Sequence, residues 1–186
     1  MDTFSYLSVL FSVILGLAVT EILQGFRKLI VARHRVVVYP PLLIWMGVVL
    51  LVLVQDWWSM FGLSAVTTWS FTMYAIVLLL VTLLYLVAGL SVPEMEADGP
   101  IDMRRSYYAH SRWFFGLFAA ALVASLAKGY VFTPTLVFDG NTAFHTVFFI
   151  ASVVGAATKS RWYHGALAPI MAVTFIAYIA LYFTSL

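Results

Sequence analysis

The residues from Phe4 to Ile30 read FSYLSVLFSVILGLAVTEILQGFRKLI, and no charged side chain occurs in this stretch before Glu21. A helix that crosses the hydrocarbon core of a bilayer needs about 20 mostly apolar residues. The stretch therefore predicts a transmembrane helix over residues 4–30. Its apolar run is too long for a cleavable signal peptide, and no basic residue precedes it. We expect the segment to remain in the protein as its first helix.

The composition of the whole chain also indicates a membrane protein. Hydrophobic residues make up 63% and charged residues 10% of its 186 residues, whereas soluble domains have about 45–50% and 25%. A soluble fold of this length could not bury so large an apolar fraction, so we expect the lipid bilayer to cover the remainder. The net charge of +2 does not indicate nucleic-acid binding, and the absence of cysteine excludes disulfides and thiolate metal sites.

Five more apolar segments of suitable length follow the first. The sequence predicts a single all-α domain over residues 1–186, a bundle of six transmembrane helices at about 4–30, 42–60, 69–91, 102–128, 142–158 and 166–183. Three helices in each half would make the two halves inverted relative to each other, as in many transporters. The sequence therefore allows an arrangement of 3+3 inverted halves.

Prolines and polar stretches mark the connections between these helices. The pair Pro40–Pro41 opens the second helix, where a missing N–H costs little. Pro169 is expected in the first turn of the sixth helix or at a slight kink. Residues 93–100, PEMEADGP, predict a solvated linker, and Pro134 with Asp139 predicts a loop before the fifth helix.

The basic residues predict how the helices are oriented in the membrane. Nine of the ten lie in or beside the connections that follow helices one, three and five: Arg27, Lys28, Arg33, Arg35, Arg104, Arg105, Arg112, Lys159 and Arg161. Basic residues concentrate in short cytoplasmic loops. We therefore expect these connections in the cytoplasm and both termini on the periplasmic or extracellular side.

Ionisable residues inside the spans are the candidates for function, because each costs roughly 2.5–3.5 kcal/mol to insert. Asp56 and Lys128 lie on helices two and four, which run in the same direction, and both should climb about 22–24 Å from the inner interface. The sequence predicts an intramembrane polar cluster of these two residues with Gln55 and His145. The alternative is that Asp56 and Lys128 only reach the headgroups at the membrane surface.

Helix one carries a second candidate feature, a stripe of small and polar residues at steps of four. The residues that could line a polar path are Ser12, Thr20, Glu21 and Gln24. The alternative is a tight helix–helix seam built from small residues. On that interpretation, Gly16 on helix one or Ala120 on helix four forms a close contact with another helix. Independently of that choice, Glu21 lies near the cytoplasmic face, where Arg104, Arg105 or Arg161 could neutralise it, and the sequence does not choose among them.

The sequence offers little support for an enzyme. It contains neither a G-x-S-x-G nucleophile motif nor an H-E-x-x-H zinc motif. Of the four histidines only His145 is expected within a span, which argues against a haem held by two histidines, and we expect no cofactor or metal. Arg104, Arg105 and Arg112 could bind anionic lipid headgroups, or act only as anchors on the positive side.

The segment FSYLSVLFSVILGLAVTEILQGF, the basic loop after it, and the later PPLLIW and QDWW resemble a group of small bacterial integral membrane proteins of unassigned function. The resemblance covers mainly the first two helices. It implies a location in the bacterial inner membrane and no particular activity. Two functions stay open: a small homo-oligomeric channel or transporter for an ion or small solute, and a structural or accessory membrane subunit whose polar groups only lock helices together.

Overall fold

A computed structural model of the chain describes residues 3–94, 99–133 and 139–183. The described residues form six long helices, two short 3-10 helices at Arg33–Arg35 and Met60–Ala65, and one pair of very short strands. The helices are α1 Thr3–Val31, α2 Pro40–Ser59, α3 Phe71–Ser91, α4 Met103–Phe132, α5 Gly140–Ala157 and α6 Arg161–Tyr182. The strands are β1 Val36–Val37 and β2 Ile101–Asp102, which pair in parallel. Residues 95–98 of the predicted linker and Pro134 of the predicted loop lie outside the described residues.

The prediction of an all-α fold with six membrane-capable helices is confirmed. Each helix is long and apolar enough to cross a bilayer, and between 17% and 44% of the most apolar window of each is buried within the protein. The remaining apolar side chains face outward, as Val13 of α1 and Val173 of α6 do. A surface of this kind is stable against lipid rather than water, so the architecture is that of a multi-pass membrane protein.

The helices alternate in direction, so the bundle has two chemically different ends. The Asp139 end contains the starts of α1, α3 and α5 and the last residues of α2, α4 and α6. The basic end is opposite and carries the nine basic residues named above. Ring contacts at the Asp139 end support this arrangement. The ring centroids of Phe4 and Trp69 lie 6.3 Å apart, and those of Trp69 and Phe132 lie 5.2 Å apart.

Helix α4 holds the centre of the packing. It runs along α3 on one side and α5 on the other, while α1 packs on the far side of α3. Helix α2 packs against α6 and also contacts α1 and α3, and α6 contacts α5. A space enclosed by α2, α4, α5 and α6 results, with α3 contributing to its wall.

Local sequence explains where several helices begin. Tyr39 precedes the two prolines that start α2, as predicted. The carboxylate of Asp102 accepts hydrogen bonds from the backbone N–H groups of Arg104 and Arg105, both at 3.0 Å, and so caps α4. Asp139 caps α5 by accepting from the N–H of Thr142 at 2.9 Å. The β1–β2 pair, which the sequence analysis did not predict, ties the connections after α1 and α3 together at the basic end.

Two predicted helix boundaries are wrong. Helix α4 continues four residues beyond Lys128 to Phe132, because the charge of Lys128 has a partner and nothing after it breaks a helix. Helix α6 begins at Arg161, so Pro169 lies inside the helix rather than in its first turn. The first turns of α6 are too polar to be recognised as part of a membrane helix by their hydropathy, yet they are helical and bury His164.

The predicted close contact at Gly16 or Ala120 does not occur within the described part of the chain. A Cβ added to Gly16 would meet no atom within 4 Å, and Ala120 is exposed. The face of α1 that packs against the bundle instead carries large apolar side chains, among them Phe11 and Leu15. Close approach occurs at Gly25, where a Cβ would lie 2.9 Å from the Val92 side chain. The half-buried Gly16 and the exposed Ala120 remain available to lipid or to another copy of the chain.

Candidate functional site

A cavity of about 760 Å³ lies at the Asp139 end of the bundle. Its wall is formed by α2, α3, α4, α5 and α6, and its mouth includes the exposed residues Thr133 and Asp139. All four residues of the predicted polar cluster line it, namely Gln55, Asp56, Lys128 and His145. A volume of this size falls within the range of about 300–1,000 Å³ that small-molecule sites occupy.

The structure brings Asp56 and Lys128 into direct contact. The Lys128 ammonium donates to Asp56 Oδ1 at 3.0 Å, and more weakly to the Ser59 hydroxyl at 3.4 Å. The side chains are 14% exposed for Lys128 and 8% exposed for Asp56, so the pair is largely shielded from solvent. Each charge offsets much of the cost of burying the other. Asp56 Oδ2 is buried and has no hydrogen-bond partner among the described residues.

His145 joins the same cavity through two hydrogen bonds of its own. Its Nδ1 lies 2.9 Å from the carbonyl oxygen of Asn141, which can only accept, so Nδ1 carries the proton. Its Nε2 lies 3.1 Å from the Ser125 hydroxyl and accepts from it. This pattern is that of a neutral imidazole. Tyr178 completes the polar wall by donating to Asn141 Oδ1 at 2.7 Å.

The mouth of the cavity carries a further negative charge. Asp139 is fully exposed and accepts two hydrogen bonds from Thr142, one from the backbone N–H and one from the hydroxyl at 3.0 Å. Both bonds favour the ionised carboxylate, and they lower the pKa of Asp139. The carboxylate therefore stays charged at neutral pH. Gln55 is half-buried on the wall of the cavity, one residue before the buried Asp56.

Aromatic side chains close the cavity on the side of the basic end. Phe118 lines the cavity, and its ring packs edge-on against the buried Trp45, with ring centroids 6.0 Å apart. Trp45 also contacts the rings of Phe114 and Phe115 at 5.4 and 5.3 Å. Edge-to-face stacking of this kind is stabilising beyond the area that it buries. These four rings form an aromatic floor between the cavity and the basic end.

A second buried polar network lies beneath this floor, and the sequence analysis missed it. His164 is completely buried; its Nε2 donates to the carbonyl of Thr158 at 2.9 Å, and its Nδ1 accepts from the Tyr107 hydroxyl at 2.8 Å. The expectation that only His145 lies within a span is wrong, because α6 begins early enough to include His164. Hydropathy alone could not distinguish this buried histidine from one in a loop.

The polar stripe of α1 is not part of the cavity. No α1 residue lines it in the described structure; Thr20 and Gln24 are exposed, while Ser12 and Glu21 are half-buried. Thr20 donates back to the Gly16 carbonyl at 2.7 Å, which satisfies its hydroxyl within the helix. The expected neutralisation of Glu21 by an arginine is wrong for the described residues, whose ion pairs do not involve it.

The basic end holds a separate groove of about 520 Å³ between α4 and α5. Arg112 and Lys159 line it, together with Trp113, and none of the groove's described lining residues is acidic. Of the other two arginines predicted to bind lipid, Arg105 is exposed, whereas Arg104 is half-buried and lies 6.0 Å above the ring of Tyr39. The described residues contain no group of three or more potential metal ligands.

Comparison with known proteins adds no family assignment, since no family model, curated protein or solved structure matches this chain. The function must therefore be argued from the cavity and its surroundings.

Proposed function

We propose that this protein is a small membrane transporter whose solute enters through the cavity at the Asp139 end. The observation that carries the proposal is the cavity of about 760 Å³ within a helix bundle, lined by the ion pair of Asp56 and Lys128. Ionisable residues inside membrane bundles generally mark the paths of substrates or ions. Purely structural polar groups would need no such volume beside them.

The two ends of the path differ in a way that suits transport. The cavity opens beside Asp139, whereas the ring of Phe118 on Trp45 closes it toward the basic end. A transporter exposes its site to one side of the membrane at a time. In this proposal the described arrangement is open toward the Asp139 end, and the aromatic floor separates to complete a cycle.

The distribution of charge supports a cytoplasmic position for the basic end, and the resemblance noted above supports a bacterial inner membrane. Single cysteines at Arg33 and Ser160 should then be shielded from a membrane-impermeant thiol reagent in intact cells. A cysteine at the exposed Ser64 should react with it, and residues near Gly140 should face the same side. Labelling of Arg33→Cys from outside would reverse the orientation.

A cavity-filling variant tests the transport proposal. A Cβ added at Gly129, which lines the cavity, would meet no atom within 4 Å, and the same is true of Gly89, which is exposed on α3 away from the cavity. Small amines, amino acids and organic acids are screened for an increase in Tm of the purified protein, because a ligand of the folded state stabilises it. Solutes that raise Tm are then assayed for uptake into proteoliposomes.

We expect Gly129→Phe to lose both the increase in Tm and the uptake, and Gly89→Phe to retain them. Equal behaviour of the two variants, or uptake equal to that of empty liposomes for every stabilising solute, would contradict the proposal.

A structural or accessory subunit is the second candidate, and one observation favours it. Most polar groups of the cavity already have partners within the chain, as Lys128 has in Asp56 and His145 in Ser125. On this hypothesis the pair only fixes α2 against α4. The variant with both Asp56→Asn and Lys128→Met would then keep both stability and cellular function, whereas a transporter would keep stability alone.

Two partners are proposed in addition to the solute. The half-buried Gly16 and the exposed Ala120 suit a contact with a second copy of the chain, as expected of a homo-oligomer. Gly16→Leu should then reduce the oligomer size in detergent. The groove with Arg112 and Lys159 suits an anionic lipid headgroup. Replacing both by Gln should weaken retention of phosphatidylglycerol relative to phosphatidylcholine, and unchanged retention would remove the lipid from the account.

A further inference from the structure

We propose that the solute of this cavity is a small organic cation with an apolar body, such as a protonated arylalkylamine. The inference rests on the proposed function, because it names the substrate class of the same cavity. Four features carry it: the net charge of the lining, an unpaired carboxylate oxygen, the orientation of the helix ends and the aromatic walls.

The charges that line the cavity sum to a negative value. Among the described lining residues the charged groups are Asp56, Lys128 and Asp139, and His145 has the hydrogen bonds of a neutral ring. Lys128 cancels Asp56, to which it is paired, and the carboxylate of Asp139 at the mouth is left over. A narrow cavity with low-dielectric walls concentrates the field of such a charge and raises the local concentration of cations.

The buried carboxylate has bonding capacity that the chain does not use. Asp56 Oδ1 accepts from Lys128, whereas Oδ2 is buried and lacks a hydrogen-bond partner among the described residues. Buried polar atoms are nearly always hydrogen-bonded, so an exception calls for an explanation. An ammonium group on a ligand that lies against Asp56 would supply the missing donor.

The helix ends around the mouth of the cavity also favour a positively charged solute. Thr133 and Phe183 line the cavity at the C-terminal ends of α4 and α6. The last carbonyl groups of a helix lack intrahelical partners and give this end a partial negative charge. The opposing N-terminus of α5 is already capped by the carboxylate of Asp139.

The apolar walls are suited to a cation with a hydrocarbon body. Among the described residues, seven phenylalanine and tyrosine rings line the cavity, those of Phe118, Tyr130, Phe144, Phe148, Phe175, Tyr178 and Phe183. The faces of aromatic rings attract ammonium groups, and the rings also bury apolar surface. An anion would find only Lys128, whose ammonium is already bound to Asp56 and Ser59, and it would have to pass Asp139.

Three probes of nearly equal shape test the charge preference. They are 2-phenylethylammonium, neutral 2-phenylethanol and anionic phenylacetate, each titrated calorimetrically into the full-length protein in detergent at pH 7. We expect the ammonium to bind about tenfold more tightly than the alcohol, because Asp56 and the faces of the aromatic rings attract a positive charge. Phenylacetate should bind more weakly than either.

Matched variants show whether the preference comes from this cavity. Asp139→Asn keeps a residue that can cap α5 but removes the leftover charge, so it should reduce the advantage of the ammonium over the alcohol. The double variant Asp56→Asn with Lys128→Met should nearly abolish that advantage. Arg105→Gln, an exposed change at the opposite end, should leave it unchanged.

The possible failures are distinguishable. Phenylacetate or phenylethanol binding more tightly than the ammonium, with the binding lost in Gly129→Phe, would overturn the cation inference and leave the solute cavity in place. An ammonium preference that persists in both acidic-residue variants would also overturn it. If none of the probes binds although a cysteine at Ser125 reacts with water-soluble reagents, the cation inference fails while the hydrated cavity stands. If that cysteine is also unreactive, the proposed function fails as well.

Discussion

Two histidines, His145 beside the cavity and His164 beneath the aromatic floor, make the same kinds of hydrogen bond, but one borders an open volume and the other is enclosed by protein. Each donates one ring N–H to a main-chain carbonyl and accepts from a hydroxyl with the other nitrogen. His164 is completely buried and packs 5.4 Å from the ring of Phe115. His145 instead borders a cavity of about 760 Å³. Equal hydrogen bonding therefore does not imply an equal role.

The space around each histidine decides what its network can do. Beneath the floor, the completely buried His164 bonds to protein groups with both ring nitrogens, and its hydrogen bond with Tyr107 fixes α4 against α6. In the cavity the polar groups face a volume that water or a ligand can occupy, and Asp56 Oδ2 has no partner among the described residues. This contrast supports the proposal that the network around His164 is structural and that the solute binds in the cavity.

The largest expected effect comes from breaking the ion pair of the cavity. Lys128→Met leaves the carboxylate of Asp56 buried without its partner, and Asp56→Asn leaves the ammonium alone. Each single change should lower the free energy of unfolding by about 3 kcal/mol, the lower end of the range for buried pairs, because the cavity admits water. Denaturation of the purified protein in detergent measures the loss.

The double variant sharpens this comparison. Removing both charges should cost less than the sum of the two single losses, because no unpaired charge remains. Strict additivity of the two losses would mean that Asp56 and Lys128 do not stabilise each other, which would contradict their 3.0 Å contact.

Loss of a single tyrosine hydroxyl should distinguish the two networks. Tyr107→Phe removes the donor to His164, and we expect a loss of about 2 kcal/mol because the ring nitrogen left without a donor is completely buried. Tyr178→Phe removes the donor to Asn141 at the cavity, where water can take its place, so the loss should stay below about 1 kcal/mol. Equal losses in the free energy of unfolding, measured by chemical denaturation, would mean that water reaches the two networks equally and would contradict this prediction.

The smallest expected effects come from adding one methyl group in each region. A Cβ at Gly155 would lie 3.0 Å from the ring of Phe115, beside His164, whereas a Cβ at Gly129, which lines the cavity, would meet no atom within 4 Å. Gly155→Ala should lower the free energy of unfolding by about 1 kcal/mol through overpacking. Gly129→Ala should raise it by about 0.5 kcal/mol, because alanine favours the helix. A stabilising Gly155→Ala would show that the region beneath the floor is loosely packed.

The sequence predicts much of the fold because membrane helices leave strong local signals. The length of each apolar stretch locates six helices. Every α-helix has the same rise per residue, so the sequence predicts that Asp56 and Lys128 lie at equal depth, in agreement with their contact. Charge distribution likewise separates the basic end from the Asp139 end. These inferences depend on single helices and need no knowledge of how the helices pack.

Features that depend on packing between helices could not be predicted in this way. The small faces containing Gly16 and Ala120 follow the spacing of a helix seam, yet α1 packs through Phe11 and Leu15 on another face. The burial of His164 depends on the position of Tyr107, which is 57 residues away in sequence. The cavity arises from the spacing of five helices, and no local pattern records it.

The most direct test of the account measures whether water reaches the cavity but not the interior beside it. The natural chain has no cysteine, so single cysteines can be placed at Ser125, which lines the cavity, and at Ser152, which is 2% exposed. Both are reacted with a water-soluble maleimide in detergent, and each rate is compared with that of the same unfolded variant. We predict that Ser125→Cys reacts nearly as fast as its unfolded form and that Ser152→Cys is strongly protected. Equal protection of the two cysteines would contradict a cavity open at the Asp139 end.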